Sequence, residues 1–109
     1  MHKLVILIEP QAGDSALETA WPQFLHLVER LPGLRRESSS TVELFLYGST
    51  PYTLMHELFF DSLEAAQAAL ATPEGQAAGR LLQELTRGRL ALFFADHKED
   101  DLDNIRKYQ

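Results

Sequence analysis

The stretch LMHELFFDS, residues 54–62, decides how this chain folds. It is mostly apolar, and His56 and Glu57 lie side by side in its middle. The apolar and aromatic residues follow a turn signal at residues 48–51, so we predict a strand over Leu54–Phe60. Neighbouring side chains on a strand point to opposite faces of the sheet. His56 and Glu57 therefore cannot form a compact acid/base pair, and only one of them can face the helices.

Helix signals follow this strand directly. Residues 61–64, Asp-Ser-Leu-Glu, predict a capped helix start, with Asp61 as the first capping residue. Thr72 followed by Pro73 predicts a further start, because proline is tolerated at the first helical position. That helix is expected to end near Gly88.

Three other strands are predicted. His2–Ile8 and residues 90–95 are apolar on both faces, as buried strands are. Residues 34–47 also contain a strand, whose signal is strongest over residues 41–47, TVELFLY.

A helix is predicted between the first two strands, because apolar residues recur at helical spacing from Leu17 to Leu31. Pro22 leaves its start open. Either Ser15 opens the helix through a capping box with Glu18, which places Pro22 beyond the first turn, or Thr19 is the cap. Pro32 and the glycine after it end the helix in both cases.

The element order, strand-helix-strand-strand-helix-strand, is the α+β arrangement of a ferredoxin-like βαββαβ protomer. Helices cover one face of such a sheet, yet three of the four predicted strands are apolar on both faces. We therefore expect a second copy to cover the other face, in a homodimer packed sheet to sheet. Residues 1–97 form this domain, and residues 98–109 read as a charged C-terminal tail.

Composition excludes several function classes. The 16 acidic and 10 basic residues give a net charge of −6, which argues against nucleic-acid and anionic-membrane partners. The chain has no cysteine, so disulfides and thiolate catalysis are excluded. Four scattered histidines lack metal-site spacing, and no cofactor fingerprint is present. The apolar run LVILI is too short for a signal peptide or a membrane span, and we expect a cytoplasmic protein.

Three segments resemble the EthD family, named after a protein of ethyl tert-butyl ether degradation. They are KLVILIEP, RLPGLRR and ELFFDSLEAAQAALATPEGQAAG, and the last, residues 57–79, is the most specific. The resemblance covers residues 1–97. It implies a dimeric α+β barrel, in which two ferredoxin-like protomers join their sheets. The wider superfamily includes cofactor-independent monooxygenases, muconolactone isomerase-like enzymes and non-catalytic members, so the resemblance implies little about activity.

The chain departs from relatives at two histidine positions. EthD-like proteins often carry a histidine in the first helix, seven residues before the leucine of LPGL, where this chain has Phe24. Monooxygenase-like relatives carry one in the helix after the third strand, and residues 65–70 contain none. His26 is no substitute, since helical geometry points it toward solvent. These departures favour a non-catalytic role.

Candidate ligand-pocket residues are taken from the aromatic and polar positions of the predicted core: Trp21, Phe24, Tyr47, His56 and Glu57. The plainer alternative is that they are core residues, with Glu57 paired to Lys3 or to an arginine. No catalytic residue is assigned. We expect a non-catalytic or accessory dimer that binds a small, largely apolar molecule. One alternative is a small catabolic enzyme, either a cofactor-independent monooxygenase or an isomerase/cyclase. The other is an oligomer without a small ligand.

Overall fold

A computed structural model describes residues 1–13, 15–100 and 102–103. A four-stranded antiparallel sheet, in the order β2-β3-β1-β4, is covered on one face by three helices. The ferredoxin-like fold is therefore confirmed, and most of the tail predicted over residues 98–109 lies outside the described residues. In chain order the elements are β1 (His2–Ile8), α1 (Ala16–Val28), β2 (Arg36–Thr41), β3 (Leu54–Phe60), α2 (Leu63–Ala71), α3 (Pro73–Thr86) and β4 (Leu90–Asp96).

The core lies between the sheet and the helices. β3 is paired on both sides, and its register places His56 opposite Ile6 of β1 and Ser39 of β2. Leu58, two residues further along β3, packs in the same core as Ile6. His56 therefore faces the helices, whereas Glu57 faces the opposite side of the sheet, which we call the outer face.

The strand predicted within residues 34–47 is present, but it does not extend over residues 41–47, where its signal is strongest. β2 spans Arg36–Thr41, and its pairing ends with a hydrogen bond of 2.8 Å from the Val42 amide to the Thr53 carbonyl. The following residues leave the sheet, and Leu46 and Tyr47 are 94% and 98% exposed. The physical reason is that the chain before β3 offers no partner beyond Thr53. A β-prone segment without a neighbouring strand cannot form a ladder.

α1 begins at Ala16, immediately after Ser15, so the earlier of the two predicted starts is the observed one. The predicted capping box is wrong in its chemistry, because the Ser15 side chain makes no capping hydrogen bond. Pro22 lies inside the helix and has no amide proton to donate to the carbonyl of Glu18, four residues earlier.

The junction of α2 and α3 is fixed by two side-chain caps. The Ser62 hydroxyl accepts a hydrogen bond of 3.1 Å from the Ala65 amide, so the cap of α2 is Ser62 and not the predicted Asp61. Thr72 caps α3 as predicted, accepting from the Gly75 amide at 3.1 Å. Its hydroxyl also donates to the Ala69 carbonyl at 2.6 Å, which ties the two helices together.

Gly75 and Gly79 of α3 offer a matched pair for testing this junction. A Cβ at Gly75 would lie 2.4 Å from the Ala69 carbonyl oxygen and 2.7 Å from backbone atoms of Leu70, whereas one at Gly79 meets nothing within 4 Å. We expect Gly75→Ala to lower the free energy of unfolding by about 1–3 kcal/mol through overpacking. Gly79→Ala should raise it by about 0.5–1 kcal/mol. Urea denaturation of both variants checks this, and equal effects would contradict the close approach.

Candidate functional site

A cleft of about 600 Å³ opens between α1 and the end of the sheet where β1 ends and β3 begins. Because β2 and β3 run antiparallel, the end of β2 meets the start of β3 at this same edge. Apolar residues of the wall come from the sheet and from helices α1 and α3. They include Ile8, Leu17, Trp21, Pro22, Leu54 and Leu85. A mostly apolar cavity of this size is typical of small-molecule sites.

His56 and Thr86 are buried polar residues of this wall, and His56, which is 3% exposed, carries the ionisable side chain of the two. The Trp21 indole meets its ring edge to face, with centroids 5.3 Å apart, and Phe24 lies 6.2 Å away. Burial lowers the pKa of His56, and the charge of Glu57 opposes this only in part. The imidazole is therefore neutral near pH 7.

Ser39 holds one nitrogen of this imidazole. Its Oγ lies 2.6 Å from His56 Nδ1, across the β2–β3 pairing, and Ser39 itself lines the cleft. His56 Nε2 lies 3.5 Å from a Glu37 carboxylate oxygen, but it makes no hydrogen bond with any described residue. Burial, followed by the charge of Glu29, raises the pKa of Glu37. Ser39 is thus the polar group through which a ligand can address the buried histidine.

The charged residues of the cleft wall are acidic. Glu9 and Glu18 line it, and no lysine or arginine does among the residues that the structure describes. Glu9 pairs with Arg89 at 3.7 Å, outside the cleft wall. The carbonyl of Glu18, which Pro22 leaves without its usual helical donor, adds an acceptor beside the cleft. Within the described ranges, no group of three or more acidic, histidine or cysteine side chains is placed to hold a metal ion.

The structure brings three of the five sequence candidates together. Trp21 and His56 line the cleft, and Phe24 packs against both rings while lining a smaller apolar cavity of about 240 Å³. Glu57 lies on the outer face, and Tyr47 is exposed in the loop after β2. Neither of these two reaches the cleft.

Sequence reasoning missed Ser39. Residues 38–40 are three serines, which read as a bulge or loop and carry no apolar alternation. They belong to β2, and the register that joins Ser39 to His56 depends on how β2 pairs with β3.

The outer face is less apolar than predicted, because it carries an ion pair. Lys3 Nζ donates to Glu57 Oε2 at 2.7 Å, and each side chain is 19% exposed. Lys3 was one of the partners expected for Glu57. Nearby, the Arg36 guanidinium lies 4.1 Å from the centroid of the Phe59 ring, and His97 meets the same ring edge to face at 4.9 Å.

The fold and cleft define the class of protein: a ferredoxin-like α+β protomer with a largely apolar site between sheet and helices. Neither a protein-family model nor a curated protein sequence matches the chain. Among solved structures, an EthD family protein from Bacillus halodurans C-125 is 27% identical with a TM-score of 0.80, and the match covers 90% of this chain and 99% of that one. The chain is therefore EthD-like, as its sequence motifs indicated.

Two further structures are similar in fold alone. A dimeric ferredoxin-like protein of unknown function from Jannaschia sp. CCS1 is 19% identical, with a TM-score of 0.71 over 88% of this chain and 98% of that one. SnoaB, a cofactor-independent oxygenase from Streptomyces nogalater, is 13% identical, with a TM-score of 0.65 over 91% and 94%. The comparisons thus fit an EthD-like protein and do not favour the enzyme alternative.

The burial of His56 leads us to predict that the free energy of unfolding depends on pH. Its folded-state pKa lies below the ordinary value of 6.5, so the unfolded chain binds a proton that the folded chain does not. Lowering the pH from 7.5 to 5.5 should therefore reduce the free energy of unfolding, with a slope of at most about 1.4 kcal/mol per pH unit from this group. His56→Phe should flatten the slope, because it removes the group whose protonation differs between the folded and unfolded chains. Urea denaturation at several pH values checks this, and an unchanged slope in His56→Phe would contradict it.

Proposed function

We propose that this chain forms a homodimer through its outer sheet faces and binds a small, largely apolar molecule in the α1 cleft, without catalysing its conversion. One observation carries the binding proposal: a single cleft of about 600 Å³ has both apolar walls and the Ser39–His56 pair. Apolar walls supply affinity and a few placed polar groups fix orientation in such sites. A cytoplasmic location belongs to the same proposal.

A non-catalytic role is supported by how His56 is held. One imidazole nitrogen is engaged by Ser39, and the other is buried beside Glu37. A general base must come within hydrogen-bond reach of the proton that it removes, directly or through one water. Phe24 occupies the position where EthD-like proteins often carry a histidine, and its ring packs against Trp21. The arrangement suits a hydrogen-bond anchor better than a proton carrier.

Charge narrows the class of ligand to molecules without a carboxylate or phosphate. Glu18 at the wall repels anions, and no basic side chain among the described wall residues compensates it, whereas Glu9 is paired with Arg89 at 3.7 Å. An uncharged molecule with one hydroxyl group has two partners there. It can hydrogen-bond to the Ser39 hydroxyl or donate to the Glu18 carbonyl, to which Pro22 cannot donate.

The dimer proposal is supported by the outer face and by related folds. Val5, Phe59 and Phe93 lie on that face; Val5 and Phe59 are buried within the protomer, whereas Phe93 is 45% exposed. A large exposed apolar side chain such as Phe93 on a sheet face favours association. Similar structures from Jannaschia, Thermobifida fusca and Bacteroides fragilis are described as dimeric. We expect light scattering at micromolar concentration to return twice the 12.3 kDa chain mass, and a monomer would contradict the proposal.

Trp21 provides a direct test of binding, because it is the single tryptophan of the chain and lines the cleft. Cyclohexylmethanol and cyclohexanecarboxylate share an apolar body and do not absorb where tryptophan is excited. At pH 7.5 we expect the alcohol to change Trp21 fluorescence saturably, with the carboxylate at least about tenfold weaker, which corresponds to about 1.4 kcal/mol.

Ser39→Ala should weaken binding of the alcohol by about 2–10-fold, as expected for one neutral hydrogen bond. Ser38→Ala is the matched control, since Ser38 pairs with Glu57 and faces the other side of the sheet. Saturable binding of neither probe would contradict the cleft proposal. Equal affinity for both would contradict the charge argument.

A further inference from the structure

Glu37 contacts His56 from outside the wall of the cleft. Glu37 and Ser39 are two residues apart on β2, so their side chains extend from the same face of the sheet, toward the helices. Ser39 lines the cleft, and Glu37 does not. Glu37 Oε2 lies 3.5 Å from His56 Nε2, and Ser39 Oγ lies 2.6 Å from His56 Nδ1. The imidazole therefore connects a carboxylate outside the cleft wall to a hydroxyl that belongs to it.

The neutral imidazole carries one proton, which can be on either nitrogen. With the proton on Nε2, Nδ1 is an acceptor and the Ser39 hydroxyl donates to it. With the proton on Nδ1, the ring donates to Ser39 Oγ, and the hydroxyl proton of Ser39 is free to point into the cleft. In the first state Ser39 can only accept a hydrogen bond from a ligand, whereas in the second it can also donate one.

The charge of Glu37 favours the proton on His56 Nε2. A bare Nε2 would direct its lone pair at the carboxylate, which is repulsive, whereas an N–H directed at the same carboxylate is attractive. Nε2 is buried and has no hydrogen-bond partner among the described residues, so no other contact there outweighs this preference. Electrostatic interactions are also stronger at a buried atom than in water.

The other charged groups around the ring do not reverse this preference. Glu29, at the end of α1, adds negative charge near Glu37, and its side chain and that of His26, 3.8 Å from it, are largely exposed. Glu57 lies on the outer face, where Lys3 is paired with it at 2.7 Å. The aromatic rings that α1 packs against the imidazole carry no charge.

Two further observations agree with a proton on Nε2. Burial, followed by the charge of Glu29, raises the pKa of Glu37 above 4.5, but the side chain is still 26% exposed, which keeps the carboxylate ionised at pH 7.5. The Ser39–His56 distance of 2.6 Å is below the range of about 2.7–3.2 Å for N–H···O bonds. It lies within the range of about 2.5–3.0 Å for bonds that a hydroxyl donates to oxygen.

We infer that Glu37, acting through His56, makes Ser39 a hydrogen-bond acceptor toward the cleft, so that the site selects uncharged ligands that donate a hydrogen bond. Alcohols and N-H-bearing amides meet this requirement, whereas ketones and ethers, which only accept, do not. Glu37 is thus a positioning residue that sets the class of ligand without touching it. The inference rests on the proposed binding function and adds the direction of its hydrogen bond.

The position of the proton can be tested without a ligand. Long-range ¹H–¹⁵N NMR of the labelled chain distinguishes a protonated ring nitrogen from a bare one, and His56→Phe identifies the signals of His56. At pH 7.5 we expect the proton on Nε2. Glu37→Lys replaces the carboxylate by an ammonium group, which favours a bare Nε2 and should move the proton to Nδ1.

The consequence for binding is tested with 1-cyclohexylethanol and cyclohexyl methyl ketone, which share a carbon skeleton, although only the alcohol can donate. The NMR signal of the Trp21 indole N–H reports both titrations. We expect the wild-type chain to bind the alcohol about 2–10-fold more tightly than the ketone. In Glu37→Lys the ketone should gain about 2–10-fold, whereas the alcohol, which can donate or accept, should keep its affinity. Structural damage would not produce a gain for one probe.

Glu64→Lys is the matched control, because it makes the same change of charge at an exposed position of α2. It should leave both dissociation constants and the His56 signals unchanged. The Glu18 carbonyl favours the alcohol equally in every variant, so the change in the ratio of the two constants carries the test.

The possible failures are distinguishable. Saturable binding of neither probe would overturn the proposed binding function and this inference together. If the probes bind, an unchanged ratio in Glu37→Lys would overturn the inference and leave the binding function standing. A proton on Nδ1 in the wild-type chain would do the same, and that spectrum decides the matter even if Glu37→Lys does not fold.

Discussion

The central position of β3 constrains the rest of the structure. Paired with β1 on one side and β2 on the other, it fixes both registers, and its alternation assigns His56 to the helices and Glu57 to the outer face. A slip of one residue would place a carboxylate among Trp21 and Phe24, where burial without a partner is very unfavourable. The apolar core, the polar anchor of the cleft and the Lys3–Glu57 pair therefore share one determinant.

Features fixed by short-range chemistry were readable from the sequence. The Thr72 cap, the βαββαβ order and the separation of His56 from Glu57 need only local spacing and the period of a strand. The role of Ser39 was not readable, because it depends on the pairing of two strands that twelve residues separate. A run of three serines carries no pattern that would set such a register.

The expectation that the second strand is strongest over residues 41–47 failed for a different reason. Its β propensity is real, but a propensity describes how well a residue suits a pleated surface and does not supply the neighbouring strand. Within one chain the β2–β3 register ends at the pair Thr41 and Leu54, so most of the segment has no neighbouring strand to pair with. An error of this kind is informative, since a local preference that the protomer leaves unused points to a contact that the protomer does not contain.

β2 links the cleft to the proposed dimer physically. Ser39 and Thr41 form part of the cleft wall, and residues 42–47, which the protomer leaves largely exposed, follow Thr41 directly. As an edge strand, β2 is held by β3 along one side only, so a second copy that ordered these residues would also restrict the cleft wall beside them. Ordering a segment in one event lowers the entropic cost of ordering it in a second. Because such coupling is reciprocal, a ligand that ordered Ser39 against His56 would strengthen the proposed dimer to the same extent that the dimer strengthened ligand binding.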